Sequence, residues 1–183
     1  PSSSTVDSGS RMSLRARTAP FDAVLATPFG KLCIRTGADA LAEISFLPDR
    51  ARPRAPAAVL ARRASAQVER YLRDPDFRFR LPLQKVGTPF QRRVWDAIAA
   101  IPRGRTRSYG DIARDLGSAP RAVGQACGEN RYPLVIPCHR VISANGVGGF
   151  AHADGGYLLR IKRWLLAHEG ANAGAVNTMN GRP

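Results

Sequence analysis

A thiol, an imidazole and a guanidinium occupy consecutive positions in Cys138, His139 and Arg140, directly after Pro137 and at the end of the apolar run Leu134 to Ile136. Cysteine is a nucleophile only as its thiolate, so it needs a base to take the proton and positive charge to favour the sulfur anion. His139 supplies the first and Arg140 the second, while Pro137 fixes the backbone that leads in. Neighbouring side chains on an extended chain point to opposite faces, so His139 need not touch the sulfur and can act through a water molecule. A carboxylate must then orient the imidazole. The plainer reading of the same residues is a basic turn facing a nucleic acid. Cys33 and Cys127 lack such neighbours and read as small buried hydrophobes. The three cysteines form neither a disulfide framework nor a CxxC metal pair, which points to a reduced compartment and to no bound metal.

The elements that must hold these residues can be read outward from them. The run Leu134 to Ile136 reads as a buried strand that delivers the thiol. Before it, Thr88 caps a helix with Pro89 at its first position and Phe90, Val94, Trp95 and Ile98 facing inward. Ser108, with Asp111 three residues on, caps a second helix that Gly117 stops, and PRAVGQACG follows as a third. The last two have the spacing of a helix-turn-helix, although any αα-hairpin looks similar. The third helix carries Ala122, Val123, Gly124, Ala126 and Gly128 where a major-groove reader would offer long polar side chains. Such a slim surface suits either the minor groove, only ~6 Å wide, or close packing of one helix on another.

The first half has a different character. Residues 21–47 are short apolar runs broken at Pro28 to Gly30 and Gly37 to Asp39, as in strands joined by tight turns. Pro56 to Arg73 reads as a helix, with Val59, Arg63, Ala66 and Tyr71 at helical spacing, and FRFRLPL from Phe77 alternates like a strand. Residues 1–18 read as a flexible lead, 19–86 as an N-terminal α/β lobe, 87–170 as a mainly helical lobe, and 171–183 as a flexible tail.

Composition bounds the partners. There are 28 Lys plus Arg against 14 Asp plus Glu, a formal net charge of +14, so the natural partner is a polyanion. Charge alone does not separate DNA, RNA and an anionic membrane surface. No apolar run approaches the ~20 residues that span a bilayer, and no hydrophobic signal segment is seen, so a cytoplasmic, nucleoid-associated protein is expected.

Beyond the four residues Pro137, Cys138, His139 and Arg140, the blocks GTPFQRRVWDAI, IPRGRTRSYGDIA, RAVGQACGEN, PLVIPCHRVI and KRWLLAHEG follow one another between Gly87 and Gly170. In this order they resemble the O6-alkylguanine-DNA alkyltransferases. The resemblance implies an α+β fold: a small ribonuclease-H-like α/β lobe on a winged-helix-like lobe that contains the helix-turn-helix. It implies DNA repair by irreversible, single-turnover transfer of an alkyl group from O6-alkylguanine to Cys138, with the damaged nucleotide flipped out through the minor groove.

The same resemblance makes His139 the base acting through water, Glu169 the carboxylate that polarises it, and Tyr109 the residue that assists the departing guanine and crowds a phosphate. Arg121 would fill the vacated stack, with Ala122, Gly124 and Arg140 also at the DNA. Asn130 would be a structural hinge, and Val141 and Phe150 would line the substrate pocket. No cofactor or metal is implied, and the partner would be double-stranded DNA bound by a monomer, with cooperative binding on DNA left open. The segment Phe150 to Lys162 is longer than the usual loop over the base, which bears on the alkyl groups accepted. A non-catalytic lesion-binding relative would share Tyr109 and Arg121 but lacks the acceptor cysteine. A thiol hydrolase would share Cys, His and Glu without needing a slim helix or this charge.

Overall fold

The computed structural model describes residues 21–153 and 155–171, so the expected lead 1–18 and all of the expected tail but Ala171 lie outside the described residues. Three strands, β1 (Ala23–Thr27), β2 (Gly30–Thr36) and β3 (Leu41–Leu47), form an antiparallel sheet in the order β1-β2-β3. Thr27 pairs with Gly30 across the first turn, and the second turn closes through the Gly37 amide on Ala40 O at 2.8 Å. Leu32, Ile34, Leu41 and Ile44 are buried on the sheet and meet helix α1 (Val59–Arg73).

The inward face of α1 is Ala61, Ala64, Ser65, Val68 and Tyr71, a 3-4 spacing, so the register differs from the one expected: Val59 is exposed and Arg63 points outward. FRFRLPL is not a strand. Only Leu83 forms a bridge, to Leu41, because Pro82 has no amide to give and Arg80 spends its backbone groups on side chains: its N donates to Gln67 Oε1 and its O accepts from Arg63 and Gln67.

Four more helices follow: α2 (Pro89–Ala99), α3 (Tyr109–Asp115), α4 (Pro120–Gly128) and α5 (Gly156–His168). Thr88 and Gln91 form a capping box on α2, as Ser108 and Asp111 do on α3, so two orphan amides of each helix start are satisfied locally. Gly117, at φ 61°, turns the chain between α3 and α4, which pack on each other, and α4 packs on α2 as well. Trp95 locks the arrangement by donating from Nε1 to Ala126 O at the end of α4.

One continuous core runs from Ala23 through Val68 and Ile98 to Leu165, uniting the first half with the second. The Ile44 amide donates to Arg131 O and the Tyr132 hydroxyl to Gln84 O, both at 2.8 Å across the same junction. Ala171, expected in the tail, is buried against Ile142 and Leu166, and its amide bonds Leu166 O. No helix among the described residues is long and apolar enough to cross a membrane.

Candidate active site

The thiol is delivered by a tight turn and not by a strand. Leu134 sits at φ 75°, the Ile136 amide reaches back to Tyr132 O and the Cys138 amide to Ile136 O, so residues 132–138 coil instead of extending. Cys138 to Arg140 form a single 3-10 turn, after which β5 (Val141–Ile142) pairs in parallel with β4 (Arg107–Ser108). The strand thus follows the cysteine. It ties the turn to the start of α3, where Tyr109 stands.

Asn130, just beyond the C-terminus of α4, fixes this turn from the other side. Its Nδ2 donates to Ile136 O and its Oδ1 accepts from the Tyr132 amide, at 2.8 and 2.9 Å. These bonds span the segment between α4 and the cysteine.

Cys138 and His139 are both buried. Burial pushes the Cys138 thiol up, while the Asn130 side chain, the Lys162 ammonium and the backbone amides of Cys138 and His139 act in the opposite direction. Burial also lowers His139, so the imidazole is neutral and free to accept a proton; Glu169 opposes this, and the charges of Arg140 and Lys162 add to it. His139 Nε2 lies 3.0 Å from Glu169 Oε1, though the ring N–H is not aimed squarely at the oxygen. Nδ1 is buried with no hydrogen-bond partner among the described residues. A buried imidazole nitrogen without a partner suits a bridging water or an incoming proton.

Glu169 closes α5 as its C-cap residue and is fully buried. Burial raises its carboxyl, but the adjacent His139 ring and the paired Arg140 guanidinium outweigh this and hold it far below the usual carboxylate range. Arg140 grips it with two donors, Nε to Oε2 and Nη2 to Oε1, both at 2.8 Å, and gives Nη1 to Ile101 O. Arg140, expected at the DNA, is therefore turned inward because Glu169 is the nearest buried anion. Tyr71 of α1 donates its hydroxyl to Glu169 Oε1 at 2.8 Å.

Two of these groups were missed in the sequence. Tyr71 lies 98 positions from its partner, beyond any local signal. Lys162 was visible, as a lysine on the apolar face of α5 among Ile161, Leu165 and Leu166. It is fully buried and donates to Val141 O at 2.6 Å and Gly149 O at 2.9 Å. Burial lowers its ammonium to about 8, opposed by Cys138 and Cys127.

The remaining candidates are distributed as follows. Tyr109 is half-buried, donates to Gly149 O at 3.1 Å and faces Gly124, where a methyl group would meet the ring at ordinary van der Waals distance. Val141 and Phe150 are buried beside Cys138 in the same core region. Arg121 is exposed on the outer face of α4, with Ala122 and Gly124 partly exposed near it. Cys33 and Cys127 are free and buried, with thiols raised by burial to about 11 and about 12. Among the described residues no group of three His, Cys, Asp or Glu could hold a metal. The arrangement is a buried thiol beside a neutral base that abuts an ionised carboxylate, next to a surface helix of small residues and one arginine.

Comparison with known proteins gives that arrangement relatives. The family described as 6-O-methylguanine DNA methyltransferase, DNA binding domain, matches residues 89–171. A methylated-DNA–protein-cysteine methyltransferase of Methanosarcina acetivorans is 36% identical over 157 residues, 81% of this chain and 97% of that protein. A probable methylated-DNA–protein-cysteine methyltransferase of Acanthamoeba polyphaga mimivirus is 46% identical over 99 residues, 53% of this chain and 63% of its own length, so the match spans less than two thirds of that relative. Among solved structures, Mycobacterium tuberculosis OGT in complex with DNA superposes with a TM-score of 0.64 at 35% identity, covering 84% of this chain and 94% of that one.

Proposed function

This chain belongs to the 6-O-methylguanine DNA methyltransferase family, and from that premise we propose that it repairs duplex DNA by taking the alkyl group of O6-alkylguanine onto Cys138. The observation that carries the reading is the buried Cys138 beside neutral His139, whose Nε2 lies 3.0 Å from an ionised Glu169.

In the proposed reaction His139 takes the Cys138 proton, through a water at Nδ1, and Glu169 stabilises the imidazolium that forms. The thiolate sulfur attacks the alkyl carbon. The new C–S bond forms as the C–O6 bond breaks, and its electron pair leaves on the guanine, which gains a proton with Tyr109 assisting. The thioether has no neighbouring group able to hydrolyse it, so each molecule acts once. The charge that develops on sulfur meets the amides of Cys138 and His139, the Asn130 side chain and Lys162, a ready-made set of positive partners.

A stacked guanine is out of reach of a buried sulfur, so the nucleotide must leave the helix, at a cost of a few kcal/mol. Arg121 would fill the gap, Tyr109 would crowd the backbone, and Ala122 and Gly124 would let α4 approach the minor groove. The net charge of +14 supports a phosphate partner. On this reading residues 19–86 are the ribonuclease-H-like lobe, 87–170 the winged-helix-like lobe, and the protein works in the cytoplasm at the nucleoid. The mixed sheet and helix architecture supports that division. A lesion binder without catalysis is disfavoured by the presence of Cys138.

Incubation with duplex DNA carrying O6-methylguanine is expected to add one methyl mass per chain, on the peptide containing Cys138. No mass gain under full DNA binding would refute alkyl transfer.

A further inference from the structure

The segment that exceeds the usual loop length contains Ala151 and His152, both at positive φ, 49° and 63°. Phe150 and Ala153 close it as a tight loop, each donating its amide to the other's carbonyl, at 2.8 and 2.9 Å. This turn lays the His152 ring against Gly128 at the end of α4, where any Cβ would overlap it. His152 Nε2 lies 3.1 Å from Glu129 Oε1, and both side chains remain about half exposed.

Tyr109, Cys127, Gly128, Cys138, Phe150 and His152 surround a cavity of about 30 Å³. That space holds about two water molecules and no purine ring. The same Phe150 to His152 segment also walls a cavity of about 370 Å³ that reaches Cys138 from the β3 side, along Ile44 and Phe46. The larger space has room for a purine ring, and the smaller one beside the sulfur for a methyl group but not for a phenyl ring, so a bulkier alkyl group enters only if a wall moves. Phe150, Cys127 and Cys138 are buried in the core, whereas His152 is held by one solvent-exposed contact and by a glycine that offers it room.

We propose that His152, clasped to Glu129 over Gly128, is the movable wall of the Cys138 pocket and sets the size of the alkyl group this protein accepts. The proposal rests on the alkyl-transfer reading above. A wall residue that a small O6-methyl group tolerates and a benzyl group displaces discriminates by size, as apolar pockets do. The Glu129 contact is weak enough to open when a base enters.

The test compares rates of Cys138 alkylation by free O6-benzylguanine and by O6-methylguanine in duplex DNA, for the native chain and three variants. His152→Gly removes the ring and suits a positive φ. Gly128→Ala puts a methyl where the ring lies, displacing it from the opposite side. Both are expected to raise the benzyl-to-methyl rate ratio by at least about tenfold. Glu129→Gln, which keeps the shape and removes the charge, is expected to raise it by roughly threefold. A ratio unchanged in all three variants, with alkylation intact, overturns the latch alone. No alkylation of the native chain by either substrate overturns the latch together with the reading on which it rests.

Discussion

Replacing Arg140 separates a structural from a DNA-facing role for this residue. Its guanidinium makes three hydrogen bonds inside the protein, two to Glu169 and one to Ile101 O, and its side chain is 13% exposed. Arg140→Ala leaves Glu169 ionised in the core, with Tyr71 and the neutral His139 as its neighbours. Removing one partner of a buried pair costs about 3–5 kcal/mol, a large part of the 5–15 kcal/mol that holds a typical domain folded. With a urea slope near 2 kcal/mol per molar, the unfolding midpoint should fall by about 2 M. Arg140→Lys keeps the charge but cannot grip both oxygens, and should recover about 1 kcal/mol of the loss. Urea titration followed by circular dichroism measures the midpoints, and the alkylation rate on free O6-benzylguanine should fall as much as that on duplex DNA. An Arg140→Ala protein with an unmoved midpoint and weakened DNA binding would refute this reasoning and return Arg140 to the DNA surface.

Glu169 gives a pH prediction of definite sign. Its folded carboxyl titrates far below the ordinary 4.5, so the stability it adds is complete above pH 4.5 and is lost as the pH falls below that value. The limiting slope for one proton is about 1.4 kcal/mol per pH unit, and Glu169→Gln should flatten this acid limb in urea titrations at successive pH values; an unchanged limb would show that other carboxylates cause it. For base extrusion, Arg121→Ala should slow repair in duplex DNA by about tenfold or more while the rate on free O6-benzylguanine stays within about twofold, since Arg121 is exposed on α4 and Cys138 is buried. Equal losses on both substrates would contradict the finger role.

What was legible in the sequence were features with short-range causes. Thr88 with Pro89 and Ser108 with Asp111 announce helix starts because their causes lie within the helix's own first turn. Gly117 announces a stop because its φ is positive. Pro137 to Arg140 offered a candidate nucleophile by residue type alone, and the structure places Cys138 and His139 together in the core. The errors have a common origin in distant partners. The apolar run before Cys138 looked like a strand, but Asn130 bonds at both its ends and Leu134 at positive φ curl it. FRFRLPL alternates like a strand, yet Gln67 and Arg63 on α1 occupy the backbone groups of Arg80 that a neighbouring strand would need. Arg140 read as a surface cation because its anion lies 29 residues ahead. Lys162 could have been found by asking why a lysine interrupts the buried face of α5.

Lys162 also bears on why the thiol is buried at all. A cysteine held as a thiolate at neutral pH reacts with oxidants and stray electrophiles, and one that is consumed by a single reaction has no second chance. Here burial keeps the Cys138 proton on, and the His139 imidazole neutral, in the resting protein. The groups that would stabilise the anion are nonetheless fixed before any substrate arrives: Asn130 by its bonds to Ile136 and Tyr132, Lys162 by the carbonyls of Val141 and Gly149, and Glu169 by Arg140 and Tyr71. The cost of burying these charges is borne by the fold, through contacts that span α1, the active-site turn and α5. In the proposed reaction, proton transfer from sulfur to His139 would become favourable only when an alkyl carbon stands ready to take the electron pair, which would make the lesion itself the trigger for the nucleophile.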